Sequence, residues 1–183
     1  MKKLILILIL ISGLNNYSQN KRKFKPGVNI IENIKISEYE KPTSILFVFE
    51  GHTHLVNNFL DLKKRIIKTF KKRMKKEYKN FKLDFDFNLN AEKSFKSDLK
   101  NIPHKKHNIN EYKSVCYVTL SDFKGWDNHL IKKRKQNYNL NLILKNTDLV
   151  PLIKLKLNIN SFYTIATQNK NSSKIIYDVI MNK

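Results

Sequence analysis

Between Leu55 and Lys79 the sequence carries an amphipathic pattern that leaves few ways to fold. Set at helical intervals, Leu55, Val56, Phe59, Leu60, Leu62, Ile66, Ile67, Phe70, Met74 and Tyr78 share one arc about 160° wide. The opposite arc carries Lys64, Arg65, Lys68, Lys71, Lys72, Lys75, Lys76 and Lys79. At ~1.5 Å per residue this helix is about 37 Å long, enough to cross a whole sheet. The apolar partner it needs lies just upstream. Ser44–Glu50 (SILFVFE) is a continuous apolar run between Pro42 and Gly51, the pattern of a strand covered on both faces. Lys63 alone breaks the stripe, falling inside the apolar arc. It either snorkels past the sheet edge or pairs with a buried acid.

Strand patterns follow. Phe81, Leu83, Phe85, Phe87 and Leu89 alternate with Lys82, Asp84, Asp86 and Asn88, which is a half-buried strand with one wet face. Ala91–Leu99 reads as a short helix ended by Pro103, and 101–111 as a polar loop. Ser114–Leu120 and Tyr138–Leu144 read as strands, Asn146-Thr147-Asp148 as a turn, and Ile153–Ile165 as a long returning strand. Ser172 or Ser173 caps a final short helix that buries Ile175, Ile176, Val179 and Ile180. Val28, Ile30, Ile34 and Ile36 give a weaker strand signal. The expected fold is α/β (α+β): a two-layer sandwich, a mixed sheet of about five strands with one long and one short helix on one face. Its opening strand–helix–strand unit is expected to be parallel.

The ends of the chain bear on its location. Lys2 and Lys3, the apolar run Leu4–Leu14 and a polar stretch ending at Ser18 form the pattern of an export signal. Residues 1–18 are therefore read as a signal peptide, 19–42 as a basic arm and 43–183 as a single α/β domain. The run is shorter than the ~20 residues of a membrane-spanning helix, so no transmembrane segment is expected after cleavage. The destination is periplasmic or extracellular in a bacterium. The lone cysteine, Cys116, lies inside an apolar strand and reads as a buried thiol.

Of the 36 basic residues, 32 are Lys and only four are Arg, beside 15 acidic residues and a net charge of +21. Codons for Lys, Asn and Ile are A- and T-rich, so part of this charge reflects genome composition. Distribution is more telling, since residues 51–80 hold nearly half of the net positive charge left after residue 18. A smaller cluster is Lys132-Lys133-Arg134-Lys135.

On an exported basic chain, this order of elements, with its C-terminal hairpin and helix, resembles small bacterial envelope domains. These are the TolB amino-terminal type and related outer-membrane accessory lipoproteins. The resemblance spans roughly 44–183 and rests on layout. It implies a binding or assembly role without catalysis, and it transfers no site residues.

Two sites stand out. The first is the basic face Lys64, Lys68, Lys71, Lys72, Lys75 and Lys76, which is the solvated side of a covering helix or a docking surface for an anionic envelope lipid or polysaccharide. Its partner would be an anionic envelope component or a protein. Nucleic acid is disfavoured because no aromatics interleave the basic arc. The second is Glu50-Gly51-His52-Thr53-His54, at the carboxyl end of the presumed central strand. Glu50, His52 and His54 there project to one side, and with Asp122, Asp127 or His129 would complete a zinc site of a metal-dependent hydrolase. The structural alternative is an ordinary helix start with Thr53 as cap. Asp84 with Asp86 reads as a wet strand face rather than a catalytic acid pair. His104 and His107, flanked by Lys105 and Lys106, read as solvated loop. The primary reading is an exported, non-catalytic binding protein with no cofactor.

Overall fold

The computed structural model describes residues 27–37, 39–90, 106–124, 136–161 and 164–182. Its elements are β1 (Gly27–Lys35), β2 (Ser44–His52), α1 (Val56–Met74), β3 (Lys82–Asn90), β4 (Ser114–Lys124), β5 (Gln136–Asn146), β6 (Pro151–Ser161) and α2 (Ile165–Met181). The strands form one mixed sheet in the order β1-β6-β5-β4-β2-β3. β2 runs parallel to both β3 and β4, and every other pairing is antiparallel.

Alternation along the strands decides which layer each side chain joins. Phe47 and Phe49 of β2 meet Phe85 and Phe87 of β3 and then Phe59 and Phe70 of α1, in stacked and edge-on ring contacts. Cys116 and Val118 of β4, Leu140 and Leu142 of β5 and Leu155 and Leu157 of β6 continue this core, which Ile176, Val179 and Ile180 of α2 close. Both helices therefore cover one face of the sheet, as expected. On the other face lies a much smaller cluster of Leu46, Val48, Tyr112 and Val115, with Ile109 and Tyr117 packed against it.

Four expectations shift. The sheet has six strands, because Gly27–Lys35, with its weak strand signal, pairs with β6. The α-helical part of the long helix stops at Met74, and 75–80 continue as a 3-10 turn. Lys75 there takes φ 53. Lys71 with Lys75 and Lys72 with Lys76 are like charges one turn apart, which weakens a regular helix at this point. The last helix is long rather than short: it starts at Ile165, and Thr164, not Ser172 or Ser173, caps it by accepting from the Thr167 N–H. Ile165 thus belongs to this helix and not to the returning strand. Asn169, Asn171, Ser172 and Ser173 are weak helix formers, yet Ser173 bonds back to the Lys170 carbonyl at 2.9 Å, satisfying its hydroxyl within the helix.

Lys63 takes the snorkelling course, its ammonium lying 5.4 Å and 5.7 Å from the ring centroids of Phe85 and Phe87 on the edge strand β3. The leader 1–18, the helix expected over 91–99 and the cluster 132–135 lie outside the described residues. Among the described residues no helix is long and apolar enough to cross a membrane.

Candidate functional site: a cationic groove between the two helices

Polar residues join the two helices where a purely apolar seam would be the default. Asn169, 2% exposed, donates through Nδ2 to the Asn58 carbonyl at 3.2 Å and to Asp61 Oδ2 at 3.0 Å. Thr69 Oγ1 and Ser173 Oγ lie 2.8 Å apart, and Arg73 pairs with Asp178. The partners advance together along both helices, so α1 and α2 run side by side in the same direction. Asn169, Ser172 and Ser173 on α2 are all buried.

Above this seam the helices leave a groove of about 360 Å³, walled by Arg65, Lys68, Thr69, Lys72 and Arg73 from α1 and by Lys170 and Lys174 from α2. Arg65 Nε sits 3.3 Å from Asp61 Oδ1, one turn earlier on α1. Arg73 lies over the Tyr177 ring, 5.1 Å from its centroid. Lys68, Lys72, Lys170 and Lys174 have no carboxylate partner among the described residues. The groove therefore presents uncompensated positive charge between two walls, an arrangement that raises the local concentration of an anion.

Of the expected basic face, Lys68 and Lys72 line the groove, while Lys64, Lys71, Lys75 and Lys76 are exposed beside it. Sequence reasoning missed Lys170 and Lys174. Their spacing of one helical turn is visible, but a helix capped at Ser172 or Ser173 takes in Lys174 and leaves Lys170 outside, so the pair does not read as one face.

The Glu50–His54 segment behaves differently. Gly51 takes φ +152, and a Cβ there would meet Leu55 Cδ1 at 3.4 Å, so glycine lets the chain turn from β2 into the helix layer. His52 and His54 are brought together, with exposed, nearly parallel rings 5.5 Å apart. Glu50 instead lines a pocket on the uncovered sheet face, with Asp86, Asn88, His107 and Tyr117. Asp122 is held by Asn139, Ser121 and Lys156. Asp127 and His129 lie outside the described residues. Among the described residues no three His, Cys, Asp or Glu side chains converge to hold a metal ion.

His107 is not a solvated loop residue. Its backbone N–H donates to Asp86 Oδ2 at 2.9 Å, and its Nδ1 lies 2.5 Å from Asp86 Oδ1. Tyr112, 1% exposed, donates its hydroxyl to Asp84 Oδ2 at 2.7 Å, and Lys82 pairs with Glu111. Burial and the neighbouring Asp84 carboxylate push the Tyr112 phenol up. The two aspartates of the supposed wet strand face thus clasp segment 106–112 over the small second core. Cys116 is fully buried, and desolvation pushes its thiol up, away from the reactive thiolate.

No protein-family model matches this chain, and no curated protein sequence does either. The fold does match solved structures. The PelC dodecamer from Paraburkholderia phytofirmans aligns with a TM-score of 0.53 at 4% identity, covering 85% of this chain and 99% of that one. A point variant of the same dodecamer aligns with a TM-score of 0.52 at 2% identity, covering 84% and 97%. At such identity the likeness is one of fold alone. It directs the structural resemblance to PelC rather than to the TolB type.

Proposed function

We propose that this chain is an exported, non-catalytic protein of the bacterial cell envelope, periplasmic or extracellular, that holds an anionic envelope component in the groove between α1 and α2. The observation that carries the reading is four lysines, none with a carboxylate partner among the described residues, on the two walls of that groove with two arginines already engaged by aspartates. Its lining of ammonium and guanidinium groups is suited to binding negative charge. The leader pattern at the start of the sequence supports export, and a fold shared with a bacterial protein supports the setting. PelC forms dodecamers; assembly of that kind here would repeat the groove around a ring and raise a modest affinity by avidity.

The test is binding of fluorescently labelled polyanions to the purified chain from residue 19 onward, across a range of salt. Affinity should fall steadily as the Debye length shrinks from about 10 Å toward 3 Å. Replacing Lys68, Lys72, Lys170 and Lys174 together with Gln should abolish it. Unchanged affinity in that variant would remove the groove from the account.

A further inference from the structure

The groove's two arginines narrow its ligand to one chemistry, an inference that rests on the binding role proposed above. The sequence has only four Arg against 32 Lys, and both arginines among the described residues, Arg65 and Arg73, line this groove. Each is held in place. Arg65 is oriented by Asp61, itself fixed by the buried Asn169. Arg73 is oriented by Asp178, which also accepts from Asn182 Nδ2 at 3.3 Å, and by the ring of Tyr177.

These contacts use one edge of each guanidinium. Arg65 spends its Nε on Asp61 and Arg73 an Nη1 on Asp178, so each keeps further N–H donors for a ligand. Eight residues apart on α1, the two arginines are rooted about 12 Å from each other along the helix. Lys68, Lys72, Lys170 and Lys174 fill the space between them from both walls.

We propose that the ligand is a linear chain of phosphate groups, lying along the groove with one end on Arg65 and the other on Arg73. A carboxylate is planar and is satisfied by one fork. A phosphate group offers oxygens in several directions, and so can take donors from both helices at once. A phosphate chain also matches the charge density of six cations packed into this length. The pre-oriented planar fork is the feature that lysine does not reproduce.

The experiment uses the full mature chain with long-chain inorganic polyphosphate, with polyglutamate of matched charge, and with phosphatidylglycerol vesicles. Polyphosphate should bind at least about tenfold more tightly than polyglutamate at the same salt. The charge-preserving variant Arg65→Lys with Arg73→Lys should lose about tenfold toward polyphosphate while staying within about twofold toward polyglutamate. Lys68→Gln with Lys72→Gln should weaken both polymers alike, and retained polyglutamate binding by the arginine variant guards against a folding defect in it. Equal binding of the two polymers, or no loss on Arg→Lys replacement, would overturn the phosphate inference and leave the groove's binding role intact. Arginine-dependent binding to vesicles matching that to polyphosphate would overturn it in favour of a membrane surface. Absence of binding to all three would sink the binding role and the inference with it.

Discussion

Asp86 ties the 106–112 segment to the uncovered side of the sheet. It is 9% exposed and accepts two bonds from one residue, the backbone N–H and the ring Nδ1 of His107. Asp86→Ala removes both and strands a part-buried backbone donor. A bond to a charged group contributes about 1.5–3 kcal/mol and an orphaned donor costs about 1–3 kcal/mol, so the expected loss is about 3 kcal/mol, the two overlapping. The segment does not open by itself, because Tyr112 at 1% exposure is part of the Leu46–Val48–Val115 cluster. The loss therefore falls on global stability. In urea, with a slope of about 2 kcal/mol per molar, the midpoint should drop by about 1.5 M at unchanged slope. Asp86→Asn keeps one acceptor and should lose about half as much. Asp84→Asn keeps the acceptor for Tyr112 on a side chain that is 36% exposed, and should cost under about 1 kcal/mol. A midpoint shift for Asp86→Ala below about 0.3 M would refute the clasp as a stabilising device. So would faster amide exchange confined to residues 107–112 with the midpoint unmoved.

Three further outcomes are expected. Leu62→Ala, at 0% exposure, should cost about 2–5 kcal/mol, whereas Lys63→Ala next to it should cost under about 1 kcal/mol; equal costs by urea melts would contradict the snorkelling arrangement. Cys116 should resist an aromatic disulfide reagent in the native chain and react at once in denaturant; native-state labelling at the denatured rate would contradict its burial. The Asn139 and Ser121 hydrogen bonds, then Lys156, hold the Asp122 carboxyl below its usual range, so its contribution is present above about pH 4 and lost as pH falls further. Asp122→Asn should flatten that part of the acid limb, and an unchanged limb would count against the bond network.

What was legible in the sequence was the covered face. The stripe from Leu55 to Tyr78 and the alternation at Phe81–Leu89 each follow a single period, and both landed on the core as read. What stayed hidden were features made by two distant segments at once. Asn58 reads as an unremarkable polar position in a helix and Asn169 as part of no element, until Asn169 donates to Asn58 Oδ1 across 111 positions. The length of α2 was obscured because Asn171, Ser172 and Ser173 disfavour an isolated helix, and tertiary contact overrides that propensity. His107 and Asp86 lie 21 residues apart, and no periodicity joins a loop to a strand face. The groove was half visible for the same reason: its α1 wall belongs to one clear helix, and its α2 wall does not.

In a chain this rich in lysine, an exposed ammonium carries little information, because water accepts it at almost any surface position. The polar groups placed where an apolar side chain would pack at least as well say more. Asn169 lies at a helix–helix seam, and burying its amide is tolerable only because its donors are used. One of those donors fixes Asp61, and Asp61 in turn orients Arg65 toward the groove. At the other end, Asp178 and Tyr177 hold Arg73. Composition drift multiplies lysines but has no means of building such a chain of support beneath two scarce arginines. The geometry behind the charge, rather than its sum, is what separates a binding groove from a merely soluble face.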